Sequence, residues 1–272
     1  MDTRVSKELE IKIRHNSSKN SNQSYNLVIF SSNVRSIKNK ILEFNAYLKF
    51  EKIDIFMICE THLDNCITDQ MITKFYTLYR KDRNTYGGGV MIGVKKNLNT
   101  YPLTEIQTNT FESISCLLIV NNNKYLLFCC YITTNPTPEQ MSEFSKTMEF
   151  LDNNYSDYKL IFSGDLNINI LNQNNMLTKN LNSILDSLKL YQLVSQPTYP
   201  SDLKYSLTPS LIDLFIINDK YLINDINITP NITEKCDHLA IIALMNVKRK
   251  PKYISEKARY ILDLNEKVVN YL

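Results

Sequence analysis

Tryptophan is missing from this 272-residue chain, and glycine (5) and proline (8) are scarce. So few of either excludes collagen-like, glycine/serine-linker and proline-rich classes, and Tyr (17) and Phe (11) supply the aromatic bulk instead. No apolar run approaches the ~20 residues of a membrane span, so no membrane association is expected. Residues 1–24 are polar and mixed in charge, without the apolar stretch of a signal peptide. With almost nothing to bury, they read as a disordered leader. The six cysteines (Cys59, Cys66, Cys116, Cys129, Cys130, Cys236) show no C-x-x-C spacing, which argues against structural zinc. Three of them, Cys116, Cys129 and Cys130, fall in apolar strand-like runs, where a free thiol acts as a small hydrophobe. The expectation is an intracellular, non-secreted chain whose N-x-[ST] sequons (Asn16, Asn154, Asn227 and Asn231 among them) are chance products of an Asn-rich composition.

Excess charge is scarce too. The net charge is +3, and residues 246–272 hold seven basic side chains against three acidic ones, so the rest of the chain is close to neutral. A pI near 8.4 lies below the footprint of a dedicated DNA-binding module. Contact with a polyanion must therefore come from local patches, for which Lys38, Lys40, Arg80, Lys81, Arg83, Lys95 and Lys96 are candidates.

What is present is a mixture of strand and helix patterns. Apolar runs at Leu27–Phe30, Ile53–Ile58, Val90–Val94, Leu160–Phe162, Ile212–Ile217 and His238–Val247 have strand length. Ile114–Val120 and Tyr125–Ile132 flank Asn121-Asn122-Asn123, a hairpin signal. Ile37, Ile41, Phe44 and Leu48 recur at helical spacing behind a candidate Ser36 cap. Thr137-Pro138-Glu139-Gln140 sets out a cap, an N1 proline and a capping-box glutamine ahead of Met141, Phe144, Met148 and Leu151. Leu177, Leu181, Ile184, Leu185 and Leu188 mark a third helix. Hairpins among the helices fit two packed sheets with helices outside better than a doubly wound parallel sheet. One domain over 25–247 is expected, followed by a basic connector at 248–272.

The chemistry-bearing residues share a position. Asn33, Glu60, Tyr131, Asp165, Asn167 and the Asp237-His238 pair stand at or beside the ends of apolar runs, and Asp213 stands inside one. Each alone admits a structural reading: Glu60 as a cap, Gly164–Asn167 as a turn, Asp237-His238 as a loop junction, Tyr131 as core. Gathered on one rim, the carboxylates repel by roughly 1 kcal/mol per pair in water and ~4 at an effective dielectric near 20. Such a cluster needs a cation, a proton or a donor, and oxygen ligands of this kind suit Mg²⁺. Gly87-Gly88-Gly89 lacks the helix and Lys-Ser/Thr of a phosphate-binding loop.

In order, Ser32-Asn33-Val34-Arg35-Ser36, Cys59-Glu60-Thr61-His62-Leu63, Tyr79-Arg80-Lys81-Asp82-Arg83 with Gly87-Gly88-Gly89-Val90, Tyr131, Gly164-Asp165-Leu166-Asn167, Ser210-Leu211-Ile212-Asp213-Leu214 and Cys236-Asp237-His238 resemble the endonuclease/exonuclease/phosphatase family. The nearest resemblance within it is to apurinic-type endonuclease domains of non-LTR retrotransposons of the jockey and chicken-repeat kind. The resemblance implies a four-layer, deoxyribonuclease I-like α/β sandwich. It also implies a Mg²⁺-dependent (Mn²⁺ as substitute) endonuclease that nicks one strand of double-stranded DNA to leave a 3′-hydroxyl, acting in the nucleus. Glu60 would ligate the metal, Asp237 would be a second or outer ligand, and Asn33 would hold the water shell. Asp165 would orient or deprotonate the water, and Asn167 would donate to the phosphate. His238, held by Asp213, and Tyr131 would meet the developing charge, with the general base left open between Asp165 and His238. Arg35 stands where abasic-site repair enzymes carry aspartate, which favours the retrotransposon branch. Leu166 and Cys236 replace the usual Phe and Ser without removing a catalytic group. The tail resembles a connector preceding reverse transcriptase, so a fragment or truncated copy without that fused partner is expected. A phosphatase of the same fold acting on a small phosphoester, or an inactive DNA-binding remnant, is the alternative.

Overall fold

The computed structural model describes residues 25–200, 208–233 and 236–249. The leader and the connector beyond residue 249 lie outside the described residues. The compact body is Asn26–Val247. Its first sheet holds β1 (Tyr25–Asn33), β2 (Ile55–Cys59), β3 (Tyr76–Lys81), β4 (Val90–Lys95), β11 (Ile223–Thr229) and β12 (Ala240–Arg249), in the order β11-β12-β1-β2-β4-β3. The second holds β5 (Asn99–Pro102), β6 (Glu112–Val120), β7 (Asn123–Tyr131), β8 (Lys159–Asp165), β9 (Tyr191–Gln192) and β10 (Asp213–Ile217), in the order β5-β6-β7-β8-β10-β9. Both sheets are mixed. In each, one parallel pair is joined through a helix: β1 and β2 through α1 (Ile41–Phe50), β7 and β8 through α3 (Pro138–Asn154). A one-turn α2 (Asp69–Ile72) and the helix α4 (Met176–Ser187) complete the described helices. None of the described helices is long and apolar enough to cross a membrane.

Strand alternation builds the layers. Leu27, Ile29, Ile55, Met57 and Ile92 share one buried cluster with Leu127, Cys129 and Ile161 of the second sheet. The alternate residues Phe30, Phe56, Ile58 and Met91 form another with Phe44 and Leu48 of α1. On the far side, Phe144 of α3 meets Phe162 of β8 edge-on at 5.8 Å. The result is a four-layer sandwich, helix–sheet–sheet–helix, in which each buried Phe or Leu contributes about 1.5–3 kcal/mol. Between the sheets the packing turns polar toward one end, where Ser31 Oγ and Ser163 Oγ share a 2.6 Å hydrogen bond.

Local signals explain most boundaries. Thr137 caps α3 with the reciprocal Gln140 bonds of a capping box and Pro138 in the first turn, as expected. Asn121 and Asn122 take positive φ (50° and 64°) between β6 and β7, the two-residue turn whose twist suits a hairpin. The first helix departs from expectation: it begins at Ile41, with Lys40 rather than Ser36 at its N-cap and no side-chain cap bond. The N–H groups of Val34, Ser36 and Ile37 are already bound to the carbonyls of Cys59, Glu60 and Thr61. Pairing beyond the end of β1 thus holds off the helix.

Register aligns the strand ends. In the first sheet Asn33, Cys59, Val90 and Lys81 form one cross-strand row. In the second, Glu112, Tyr131, Asp165 and Asp213 form another. Gly164, one residue before Asp165 along β8, has no room for a Cβ, which would collide with the Cys130 carbonyl of the neighbouring strand. Gly164→Ala should therefore cost about 3 kcal/mol, the upper range for overpacking. Urea unfolding reads this directly, and a loss under about 0.5 kcal/mol would contradict the close approach.

Candidate active site

The two rows meet at Asn33. Its side chain is fully buried, and Nδ2 donates to Glu60 Oε1 (2.9 Å) and to Asp165 Oδ2 (3.0 Å), while Oδ1 accepts from the Arg35 N–H. One neutral amide so brings a carboxylate from each sheet together. Glu60 lies one residue beyond β2 and has left-handed backbone (φ 53°), as do His62 (φ 51°) and Asn167 (φ 53°). A left-handed Glu costs roughly 1–2 kcal/mol. It persists because the neighbouring Ser36 N–H binds the Glu60 carbonyl and the Thr61 and His62 N–H groups bind Gly89 and Gly88. Burial raises the Glu60 pKa, but hydrogen bonds from Asn33, Tyr131 and His62 outweigh it and hold the carboxyl below its ordinary value. Burial pushes the Tyr131 hydroxyl up, reinforced by the charge on Glu60.

Behind Asp165 lies a buried pair. His238 Nδ1 is 2.9 Å from Asp213 Oδ2. Burial opposes charge on His238, but Asp213, then Asp165 and Asp237, overcome it and push the imidazole up to about 9. For Asp165, burial and the nearby Asp213 raise the pKa against the lowering effects of His238, Asn33 and the Asn167 N–H. The Asp165 carboxylate also accepts that Asn167 N–H at 2.9 Å, and the Asn167 amide donates to the Ile132 carbonyl at 2.7 Å. Asn167 is thus fixed beside Asp165 by its own turn.

Of the expected site residues, Asn33, Glu60, Tyr131, Asp165, Asn167, Asp213 and His238 are linked through these contacts. Asp237 is engaged differently: its Oδ2 is 2.5 Å from Arg35 Nη1. Several expected phosphate-binding cations also have internal partners: Lys40 on the Val34 and Arg35 carbonyls, Arg80 on Asp82 and Asp69, Lys81 on the Thr108 carbonyl, Arg83 on Glu112, and Lys95 on Asp54. Three supporting residues escaped sequence reasoning. Glu112, in the row of Tyr131, takes the Gly89 N–H at 2.5 Å and ties the glycine turn to the second sheet. Thr198 Oγ1 accepts the Asp213 N–H (3.1 Å), and its carbonyl accepts the Leu239 N–H (2.6 Å). Asn231 Nδ2 reaches Ser32 Oγ (2.6 Å) and the carbonyls of Asn33 (2.9 Å) and His238 (3.0 Å). Only Glu112 carries a sequence signal, an acid opening an apolar run; Asn231 and Thr198 sit in polar stretches.

The residues fit a hard divalent ion. Asp165, Asp213 and His238 offer ligand atoms all within 4.8 Å of one another, a buried group that could hold a metal through its two carboxylates, and through His238 only once the ring is deprotonated. Asp213 Oδ1 is buried without a hydrogen-bond partner, and the donors around Asn33 are oxygens, which suit Mg²⁺ or Mn²⁺ better than softer metals.

No family model and no curated protein matches the sequence. Solved structures do match in shape. The endonuclease domain of TRAS1, a telomere-specific non-LTR retrotransposon, is similar at a TM-score of 0.69 and 14% identity, over 82% of this chain and 100% of that one. The AP endonuclease LMAP from Leishmania major gives 0.64 at 13% identity, over 81% and 88%. The 3′ phosphatase NExo from Neisseria, bound to a product DNA hairpin, gives 0.60 at 15% identity, over 81% and 99%. The chain therefore has the deoxyribonuclease I-like fold of endonuclease/exonuclease/phosphatase proteins.

In metal-free protein, His238 should keep its proton at neutral pH. Its ring resonances should titrate near pH 9, not 6.5, and Asp213→Asn should lower the midpoint by about one unit or more. Because the folded pKa is raised, the pair stabilises the fold fully below pH 6.5 and loses that contribution as pH rises toward 9. Urea midpoints of wild type and His238→Gln should converge over this interval. A titration near 6.5 would refute the assignment.

Proposed function

We propose that this chain is a Mg²⁺-dependent DNA endonuclease that hydrolyses one phosphodiester of a duplex and leaves a 3′-hydroxyl, of the kind that primes reverse transcription by a non-LTR retrotransposon. Acting on chromosomal DNA places that role in the nucleus, and in an intact element the fused reverse transcriptase would extend the new end. The observation that carries the reading is the Asn33 amide holding Glu60 and Asp165 together beside the buried Asp213–His238 pair. The likeness in fold to nucleases and a DNA phosphatase supports the same class of reaction.

The side chains divide the work by charge. Asp165, an acceptor held by Asn33 and the Asn167 N–H, orients the attacking water and receives its proton. His238 is charged at neutral pH and so serves as a donor, its Nδ1 fixed on Asp213 and its Nε2–H available to a phosphoryl oxygen. Asp213 sets the tautomer and balances the imidazolium. Tyr131, kept protonated, gives its single O–H to Glu60 and holds that carboxylate in place, and the Asn167 amide adds a second donor through the N–H not bound to Ile132. These preorganised donors meet charge as it develops on the phosphate. Glu60, with Asn33 and Asp165 beside it, would hold Mg²⁺, which supplies Lewis-acid neutralisation of the phosphate when bound. A divalent charge there also favours the ionised form of Asp165.

Supercoiled plasmid should be relaxed in Mg²⁺ and left intact in EDTA. Glu60→Ala, Asp165→Asn and His238→Ala should each lower the nicking rate by about 10²–10⁴-fold. DNA affinity measured by fluorescence anisotropy should persist in these variants and fall steeply with added salt. Turnover of small phosphoesters without nicking would favour the phosphatase alternative, and binding without either activity would mark an inactive remnant.

A further inference from the structure

Charge at the rim is unevenly matched. Five carboxylates line it, and three have a built-in counter-ion: Asp213 faces His238 at 2.9 Å, Asp237 faces Arg35 at 2.5 Å and Glu112 faces Arg83 at 3.2 Å. Glu60 and Asp165 share only the neutral amide of Asn33, with the His62 ring 3.2 Å from Glu60. The Arg35–Asp237 contact is unlike an ordinary surface pair. Arg35 has a positive φ of 42°, its N–H binds Asn33 Oδ1 at 3.1 Å and its carbonyl receives Lys40 Nζ at 3.2 Å. The flanking N–H groups of Val34 and Ser36 are bound to the carbonyls of Cys59 and Glu60 at 3.0 and 2.7 Å. Its backbone is therefore fixed by the segment that presents Glu60, which sets where the guanidinium can reach. Asp237, for its part, has one buried oxygen, Oδ1, without a hydrogen-bond partner. Its other oxygen meets Arg35 and, at 3.5 Å, the Tyr199 hydroxyl. Lys40, tied to two carbonyls, already has partners of its own.

We propose that Arg35 is the resident second cation of this site: its guanidinium occupies the Asp237 carboxylate, so a divalent ion finds its one seat between Glu60 and Asp165 and none on Asp237, which serves to position Arg35. The assignment rests on the metal reading above and adds a count to it. A divalent ion on Asp237 would have to displace the guanidinium or sit against a like charge. Removing Arg35 releases a carboxylate whose orphan oxygen then becomes a ligand.

The test counts bound Mn²⁺ on metal-free protein without DNA, by electron paramagnetic resonance of free Mn²⁺ alongside equilibrium dialysis. Wild type should bind one ion per chain, and Glu60→Gln should weaken it at least tenfold. Arg35→Ala should bind a second ion at least tenfold more tightly than wild type does, and Arg35→Ala/Asp237→Asn should return to one. Arg35→Lys, which keeps the charge, should stay at one. Arg35 is 54% exposed in its side chain, so the alanine variant should fold, with thermal unfolding as the check. One ion in both wild type and Arg35→Ala, or two in wild type, overturns the assignment while leaving the nuclease reading intact. No ion in any variant up to millimolar Mn²⁺ overturns both. A wild type that binds one ion, with a second appearing in Arg35→Ala, yet never nicks DNA, refutes the nuclease reading alone.

Discussion

One amide nitrogen sets the geometry of the reactive end. Asn33 Nδ2 is bound to a carboxylate that follows the first sheet and to another that ends a strand of the second. Two carboxylates so placed repel by ~4 kcal/mol at an effective dielectric near 20. A hydrogen bond to a charged group offsets about 1.5–3 kcal/mol, so two bonds from one amide nearly balance that repulsion. A residue that could not donate twice would leave the sheets pressing like charges together. The raised pKa of Asp165 and the lowered pKa of Glu60 show that the balance is local and unequal. Of the two, Glu60 is held more firmly in its charged form.

Around that amide, the remaining polar groups are held by backbone more than by one another. The Asp213–His238 pair is nearly inaccessible to water, where a charge without its partner is strongly destabilising. Thr198 fixes the strand that begins at Asp213 and the residue after His238. Asn231 draws the carbonyls of Asn33 and His238 onto a single nitrogen. Left-handed turns at Glu60 and Asn167 aim their side chains at the same rim. Such strain survives only where neighbouring hydrogen bonds over-determine it.

The sequence makes the strand-end residues legible because they interrupt strong apolar runs: Cys59-Glu60 and Gly164-Asp165 are abrupt changes from buried to ionisable. The helix over Pro138–Asn154 is equally open, since its cap, proline and glutamine are each local signals. β11 is harder to see: in Ile-Asn-Asp-Ile-Asn-Ile-Thr, Asn and Asp, poor in strand propensity, stand on the exposed positions of an edge strand whose isoleucines are only half-buried. The cap suggested by Ser36 fails because tertiary pairing claims the neighbouring N–H groups. Asn231 and Thr198 are illegible for a different reason. Their importance lies in which distant carbonyls and amides they meet, and composition holds no trace of that.

The parallel pairing of β1 with β2 has a consequence for how the domain can be joined to other chain. β1 runs toward the reactive rim and ends there at Asn33, while β12 starts just after His238 and runs away from it. The opening of β1 and the close of β12 therefore lie at the end of their sheet opposite the rim. Chain enters β1 and leaves β12 away from Asn33 and His238, so neither connection draws its backbone from the residues of the rim.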